Sequence, residues 1–289
     1  MEELDLNKFD PRLINKKRKA GHSPIMAFLG SRGRGKSTLV GDILYFIQDI
    51  PFVMVMSGTE EANGHFSKIV HPLFVYSKFE PEALIELVNH QKKKAKILQA
   101  EGKELKKCPE HHVCVILDDL AYDKAMMKLE AIREIFFNGR HYGITLFITF
   151  QFMMELRPDM RANVDYVFVC KENKKDNLER LHKYFFGMFD KIADFKKTLQ
   201  ACTNDYGCLV LQNNSLSDRI EDQVFWYKAR LDRKFRIAPN KWPMWDEKLK
   251  QRNMENLIDD DEKTFVRKQN STLVVRKKGL KRNDDYDSD

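Results

Sequence analysis

Apolar positions along the chain fall into two kinds of run that alternate. Short, continuous apolar cores occur in "SPIMAFLG" (23–30), "PFVMVMSG" (51–58), "HHVCVILDDL" (111–120), "GITLFITFQ" (143–151) and "DYVFVCKE" (165–172). Each is bounded by glycine, proline or polar residues, the pattern of strands buried on both faces. "PLFVYS" (72–77), "YGCLVLQN" (206–213) and "QVFWYKARL" (223–231) add three more strands. Between them, apolar residues three and four apart predict helices over 35–49, 80–107 (one long helix or a pair), 124–140 and 176–201, the last broken at Gly187. This alternation predicts an α/β fold with a mainly parallel sheet sandwiched between helices. The ligand site of such a sheet lies beyond the carboxyl ends of its strands. Four predicted strands end there in polar or glycine-rich residues: at Gly30, at Asp118 and Asp119, at Gln151, and at Lys171 to Asn173.

The first of these ends carries the chemistry. Gly30-Ser31-Arg32-Gly33-Arg34-Gly35-Lys36-Ser37 satisfies GxxxxGK[ST] at every fixed position, directly after a strand and at the start of a helix, with Thr38 next. Glycines allow the loop to turn its N–H groups inward on phosphate oxygens, and the helix N-terminus adds partial positive charge. ATP is the expected ligand, with Lys36 reaching the β- and γ-phosphates and the Ser37 hydroxyl ligating Mg²⁺.

A P-loop needs a second metal anchor, an acid at the end of a buried strand, and "VCVILDD" supplies Asp118. Asp119 either caps the segment after it or orients the attacking water as a base. Gln151 is either the first residue of a loop or a contact to the γ-phosphate or the attacking water. Arg140, in "NGRHYGIT", either pairs with the end of the helix before it or acts as an arginine finger on a neighbouring subunit's nucleotide. His141 has no metal-ligand spacing and is read as structural.

Composition narrows the class. Of 289 residues, 43% are hydrophobic and 32% charged, which describes a globular protein with a heavily charged surface. The net charge of +7 is compatible with an anionic partner such as nucleic acid. Five scattered cysteines without a CxxC pair indicate neither a zinc ribbon nor a disulfide framework and fit a reducing compartment. The polar start "MEELDLNKFDPRL" is unlike a signal peptide, and no apolar run approaches the roughly 18 residues of a membrane helix. The expected organisation is a basic N-terminal arm (1–22), a P-loop ATPase domain (23–250) and a charged, disordered tail (251–289). Lys16 to Lys19 reads as a solvated run, a nucleic-acid contact or a nuclear signal.

Taken in order, GSRGRGKST, VILDD, NGRHYGI, TFQ, NVDYVFV and a late FWYKA resemble the DNA-packaging ATPases of large double-stranded DNA viruses, the poxvirus A32-like branch of the FtsK–HerA superfamily, over roughly residues 23–231. The resemblance implies a RecA-like core, a homo-oligomeric ring and ATP-driven translocation of double-stranded DNA into a capsid. Capsid, portal or inner-membrane proteins of the virion are then expected partners, in the host cytoplasm and the virion. The residues themselves are read with Asp118 at the metal, Asp119 at the water, Gln151 at the γ-phosphate and Arg140 at a neighbour's site. The wider superfamily usually has glutamate where this chain has Asp119. Candidate DNA contacts are Lys92, Lys93 and Lys94, Lys106 and Lys107, and Arg276, Lys277 and Lys278, each also readable as a solvated run.

Two other enzyme readings compete. Asn173-Lys174-Lys175-Asp176 matches the NKxD guanine-reading motif of GTPases, although Asp118-Asp119-Leu120-Ala121 lacks the glycine of DxxG. A nucleotide kinase would use Arg157 and Arg161 as a lid over the transferred phosphoryl group. A nucleotide-dependent scaffold without turnover is a further reading.

Overall fold

The computed structural model describes residues 4–120, 126–151 and 156–253. The first 243 residues form one unit and the remainder a second. Of the second unit, residues 244–253 are helical, and the tail from 254, including Arg276, Lys277 and Lys278, lies outside the described residues.

Eight strands build one sheet: β1 (Ile25–Leu29), β2 (Val53–Ser57), β3 (Val75–Tyr76), β4 (Val113–Asp118), β5 (Ile144–Phe150), β6 (Tyr166–Val169), β7 (Gly207–Gln212) and β8 (Val224–Lys228). Their spatial order is β3-β2-β4-β5-β1-β6-β7-β8, parallel from β3 to β6, with β7 and β8 antiparallel. The helices are α1 (Arg12–Lys19), α2 (Lys36–Tyr45), α3 (Glu60–Asn63), α4 (Pro81–Ala100), α5 (Glu130–Asn138), α6 (Pro158–Arg161), α7 (Lys175–Tyr184) and α8 (Ile192–Cys202).

The continuous apolar strands are explained by what covers them. Along β1, Ile25, Ala27 and Leu29 join a core with residues of α4, α5, α7 and α8, whereas Met26 and Phe28 join a second core with Leu39, Val40, Ile43 and Leu44 of α2. Successive side chains point to opposite faces, so a strand between two helical layers must be apolar at every position.

Three local expectations change. The stretch 72–77 begins as a 3-10 turn, Pro72–Phe74, and only two residues pair as strand. The helix expected over 124–140 starts at Glu130, because Leu129 is extended; Glu130 then places an acid in the first turn, where the helix dipole favours it. The N-terminal basic stretch packs against the domain through part of its length, while Lys16 and Lys19 stay exposed. Phe9 and Ile14 lie in the α2-side core, and Arg18 is 1% exposed, paired with Asp49 at 2.8 Å. Asn7, Lys8 and Phe9 run along the outer edge of β8, exchanging backbone hydrogen bonds with Trp226, which covers part of an otherwise open strand edge.

Candidate functional site

The P-loop joins β1 to α2. Gly33 and Gly35 have φ of +75° and +80°, left-handed values that disfavour any side chain. The turn buries Lys36, whose Nζ donates to the carbonyl oxygens of Gly30 (2.8 Å) and Ser31 (3.2 Å). Arg32 and Arg34 are exposed on the loop. Beside it opens a cleft of about 420 Å³ lined on one side by Arg32, Gly35, Lys36, Ser37 and Thr38 and on the other by Asp118 and Asp119.

Asp118 ends β4 and is fully buried. Its Oδ2 accepts from Ser37 Oγ at 2.9 Å and from Ser57 Oγ at 3.1 Å. Its Oδ1 is buried without a hydrogen-bond partner among the described residues. Burial pushes the carboxyl above its ordinary value; the surrounding Ser37, Thr149 and Ser57 hydroxyls oppose this and the neighbouring Asp119 adds to it. A carboxylate with one open buried oxygen, beside a hydroxyl and facing a phosphate loop, suits a hard cation that takes oxygen ligands.

Asp119 follows in a left-handed conformation (φ +51°). Its N–H donates to Thr149 Oγ1 at 2.8 Å, and its Oδ1 accepts from Gln151 Nε2 at 2.5 Å. The sheet order explains this contact. β5 lies between β1 and β4, with Leu29 opposite Phe150 and Leu117 opposite Ile148, so its tip stands between the P-loop and the two aspartates. Gln151 therefore meets Asp119 directly, a partner beyond the γ-phosphate and the water expected for it.

Arg140 sits elsewhere. It lies in the 3-10 turn Gly139–Tyr142 that precedes β5, at the amino-terminal ends of the parallel strands and so away from the P-loop, where its guanidinium donates to Asn163 Oδ1 at 3.4 Å. The glycine of this motif has its own reason: Gly143 has φ +65°, and a Cβ there would stand 2.6 Å from the buried His112 ring.

The competing motifs are not brought to the cleft. Asn173 to Asp176 are exposed at the start of α7, where the Asn173 and Lys174 N–H groups donate to Glu172 Oε1 at 2.8 Å. Arg157 pairs with Asp159 at 3.1 Å, and Arg161 lies 4.0 Å from the Tyr184 ring centre while donating to the Leu156 carbonyl. Neither arginine lines the cleft.

Several site residues carry no motif. Ser57 reaches Asp118 because β2 and β4 pair with Ser57 opposite Asp118. His65 Nε2 lies 3.0 Å from the Ser37 carbonyl, and Thr59 and Asn63 line the same wall. Thr149 leaves a trace in the sequence, a hydroxyl in an otherwise apolar strand two residues before Gln151. Nothing local marks His65. The FWYKA stretch, suggestive but unexplained as a sequence, becomes clear: Tyr227 Oη donates to Asp42 Oδ2 on α2 at 2.5 Å, and Arg233 Nε donates to Asp42 Oδ1 at 2.8 Å. β8 thereby holds the helix that carries the P-loop.

A mainly parallel sheet between helices, a P-loop after its central strand, an acid pair across one intervening strand and a polar residue at that strand's tip define a P-loop NTPase of the RecA-like class. The chain belongs to the family described as poxvirus A32 protein, whose model matches residues 14–225. It is 32% identical over 235 residues to protein L437 of Acanthamoeba polyphaga mimivirus, covering 81% of this chain and 78% of that one. Among solved structures it resembles the genome packaging NTPase B204 of Sulfolobus turreted icosahedral virus 2 in complex with ATPγS, with a TM-score of 0.51 and 18% identity over 72% of this chain and 98% of that one. It also resembles the conjugation coupling protein TcpA of pCW3 with ATPγS, with a TM-score of 0.52 and 16% identity over 87% of this chain and 75% of that one. Among the described residues no helix is long and apolar enough to cross a membrane.

Proposed function

We propose that this protein is an ATP-hydrolysing motor that moves double-stranded viral DNA into a capsid. The observation that carries the catalytic half is the closed set Lys36, Ser37, Asp118, Asp119 and Gln151, assembled from three adjacent strand ends. Family membership and the likeness to a genome packaging NTPase support the transport half. The NKKD segment is exposed and does not line the cleft, so it adds nothing to the GTPase reading.

In this reading the loop 30–38 wraps the phosphates with its backbone N–H groups. Lys36 exchanges its two carbonyl partners for β- and γ-phosphate oxygens. Ser37 and Asp118 would hold Mg²⁺, which neutralises charge on the phosphates. Asp119 accepts a proton from water as the water oxygen attacks the γ-phosphorus and ADP leaves. Gln151 holds the Asp119 carboxylate in position and reaches toward the γ-phosphate. Duplex DNA is gripped through its phosphates without sequence reading. The motor works as a homo-oligomeric ring with capsid, portal or inner-membrane proteins of the virion, in the host cytoplasm and the virion.

ATP hydrolysis measured with and without long duplex DNA tests this reading. Turnover is expected to rise with duplex and to lose that rise as salt is raised. Turnover selective for GTP and indifferent to DNA would overturn it.

Arg140 fits a finger only in trans, since its own cleft lies at the opposite ends of the strands. Arg140→Ala is expected to lower turnover of the assembled protein. Mixing Arg140→Ala with Lys36→Ala subunits, each deficient alone, is expected to restore part of it, because one supplies an intact site and the other an intact finger. Mixtures no more active than their components would remove Arg140 from the mechanism.

A further inference from the structure

Asp205 and Tyr206, in the turn between α8 and β7, are consecutive non-glycine residues with left-handed backbones, φ +49° and +58°. A bulky aromatic in that region is an outlier, and such outliers gather at ligand sites. The Tyr206 side chain gains no burial there: the residue is 74% exposed. What the turn achieves is placement. Tyr206 Cδ1 lies 3.7 Å from where a Cβ on Gly35 would stand, so the ring lies against the P-loop backbone.

The turn is built to hold this position. The Lys228 ammonium pairs with the Asp205 carboxylate, using the lysine of the FWYKA stretch. Thr203 Oγ1 donates to the Leu199 carbonyl at 2.7 Å and closes the end of α8. Gly207 admits no side chain, because a Cβ would collide with the Cys202 carbonyl oxygen.

Topology says which end of a nucleotide would meet the ring. Relative to β1, the aspartates that face a γ-phosphate lie on the β5–β4 side, whereas Tyr206 lies on the β6–β7 side. β7 runs antiparallel to β6, so its first residue emerges at the same edge of the sheet as the P-loop. A triphosphate threaded through the loop with its γ end at Asp118 and Asp119 must send its nucleoside toward the other side.

We infer that Tyr206 is the platform on which the nucleobase of the bound nucleoside triphosphate stacks. The inference rests on the nucleotide-binding reading above and deepens it. Stacking on a flat ring tolerates any base, because every base has a π-face. Tyr206 thus strengthens binding without choosing adenine over guanine.

The test compares ATP, GTP and inorganic tripolyphosphate binding, each with Mg²⁺, to the full chain and to its Tyr206→Ala, Tyr206→Phe and Tyr206→Trp variants by calorimetry. Tyr206→Ala is expected to weaken ATP and GTP by about 10-fold alike, leave tripolyphosphate unchanged, and be rescued by phenylalanine or tryptophan. Unchanged ATP affinity in Tyr206→Ala would overturn the inference while leaving the cleft a nucleotide site. An equal loss for ATP and tripolyphosphate would make Tyr206 a support of the loop and also overturn it. Failure of the unaltered protein to bind either ATP or tripolyphosphate would overturn the nucleotide reading and this inference with it.

Discussion

Lys36→Ala is expected to abolish ATP binding at the cleft, and turnover with it. Lys36 is the buried cation of the loop, with its ammonium poised on the Gly30 and Ser31 carbonyls at 2.8 and 3.2 Å. Phosphate oxygens carry full negative charge and make stronger, charge-assisted hydrogen bonds than those carbonyls. Alanine removes that charge and leaves the two carbonyls to water, which the open cleft admits. The fold should survive, because the core of α2 rests on Leu39, Val40, Ile43 and Leu44. Calorimetric titration with ATP, beside a thermal melt of the nucleotide-free protein, checks both statements. Retained ATP affinity in a folded Lys36→Ala protein would remove the loop from the mechanism.

Asp119→Asn should separate binding from chemistry. ATP affinity is expected to stay near that of the unaltered protein, while hydrolysis falls by about 10²- to 10⁴-fold, the usual contribution of a general base. Asparagine suits the site in every respect except basicity. It tolerates the φ of +51° better than most residues, keeps the N–H that Thr149 accepts, and its amide oxygen can still accept from Gln151. Loss of rate therefore reports the missing proton acceptor and not a collapsed loop. Single-turnover hydrolysis with enzyme in excess over ATP is the measurement. A normal rate would show that Asp119 does not prepare the water.

The structure changes how these residues are understood as a group. Asp118 and Asp119 are adjacent in the chain and belong to different environments. Asp118 is sealed among hydroxyls and pushed toward its neutral form by burial, so a bound cation would relieve the cost of its charge. Asp119 is half-buried, turned by its left-handed backbone toward Gln151. Two neighbouring carboxylates thus receive different tasks from one change of backbone direction.

Much of this was legible before any coordinates. The strand runs are readable because a strand covered on both faces has no place for a polar residue, and the P-loop is readable because its geometry is local, set by glycines and a helix start within one short segment. The end of β4 at Asp118 follows from the same logic: a carboxylate in a continuous apolar run marks where the strand leaves the core. Leu129 and the short β3 were misjudged because single-residue dihedrals and edge pairing answer to neighbours distant in the chain. The N-terminal basic stretch misled for a related reason. Its charge pattern is that of a solvated helix, yet Arg18 is buried and reaches Asn15 and the exposed carboxylate of Asp49.

By itself the sequence determined the alternation of elements, the phosphate loop and the identity of the acid pair, all of which depend on residues close together in the chain. Only the tertiary structure decided that β5 lies between β1 and β4, and this fact of strand order places Gln151 on Asp119. It also decided that Ser57, His65 and Tyr206 stand around the loop. Strand order is set by how whole faces pack, an energy summed over the sheet, so no local spacing encodes which strand ends will meet.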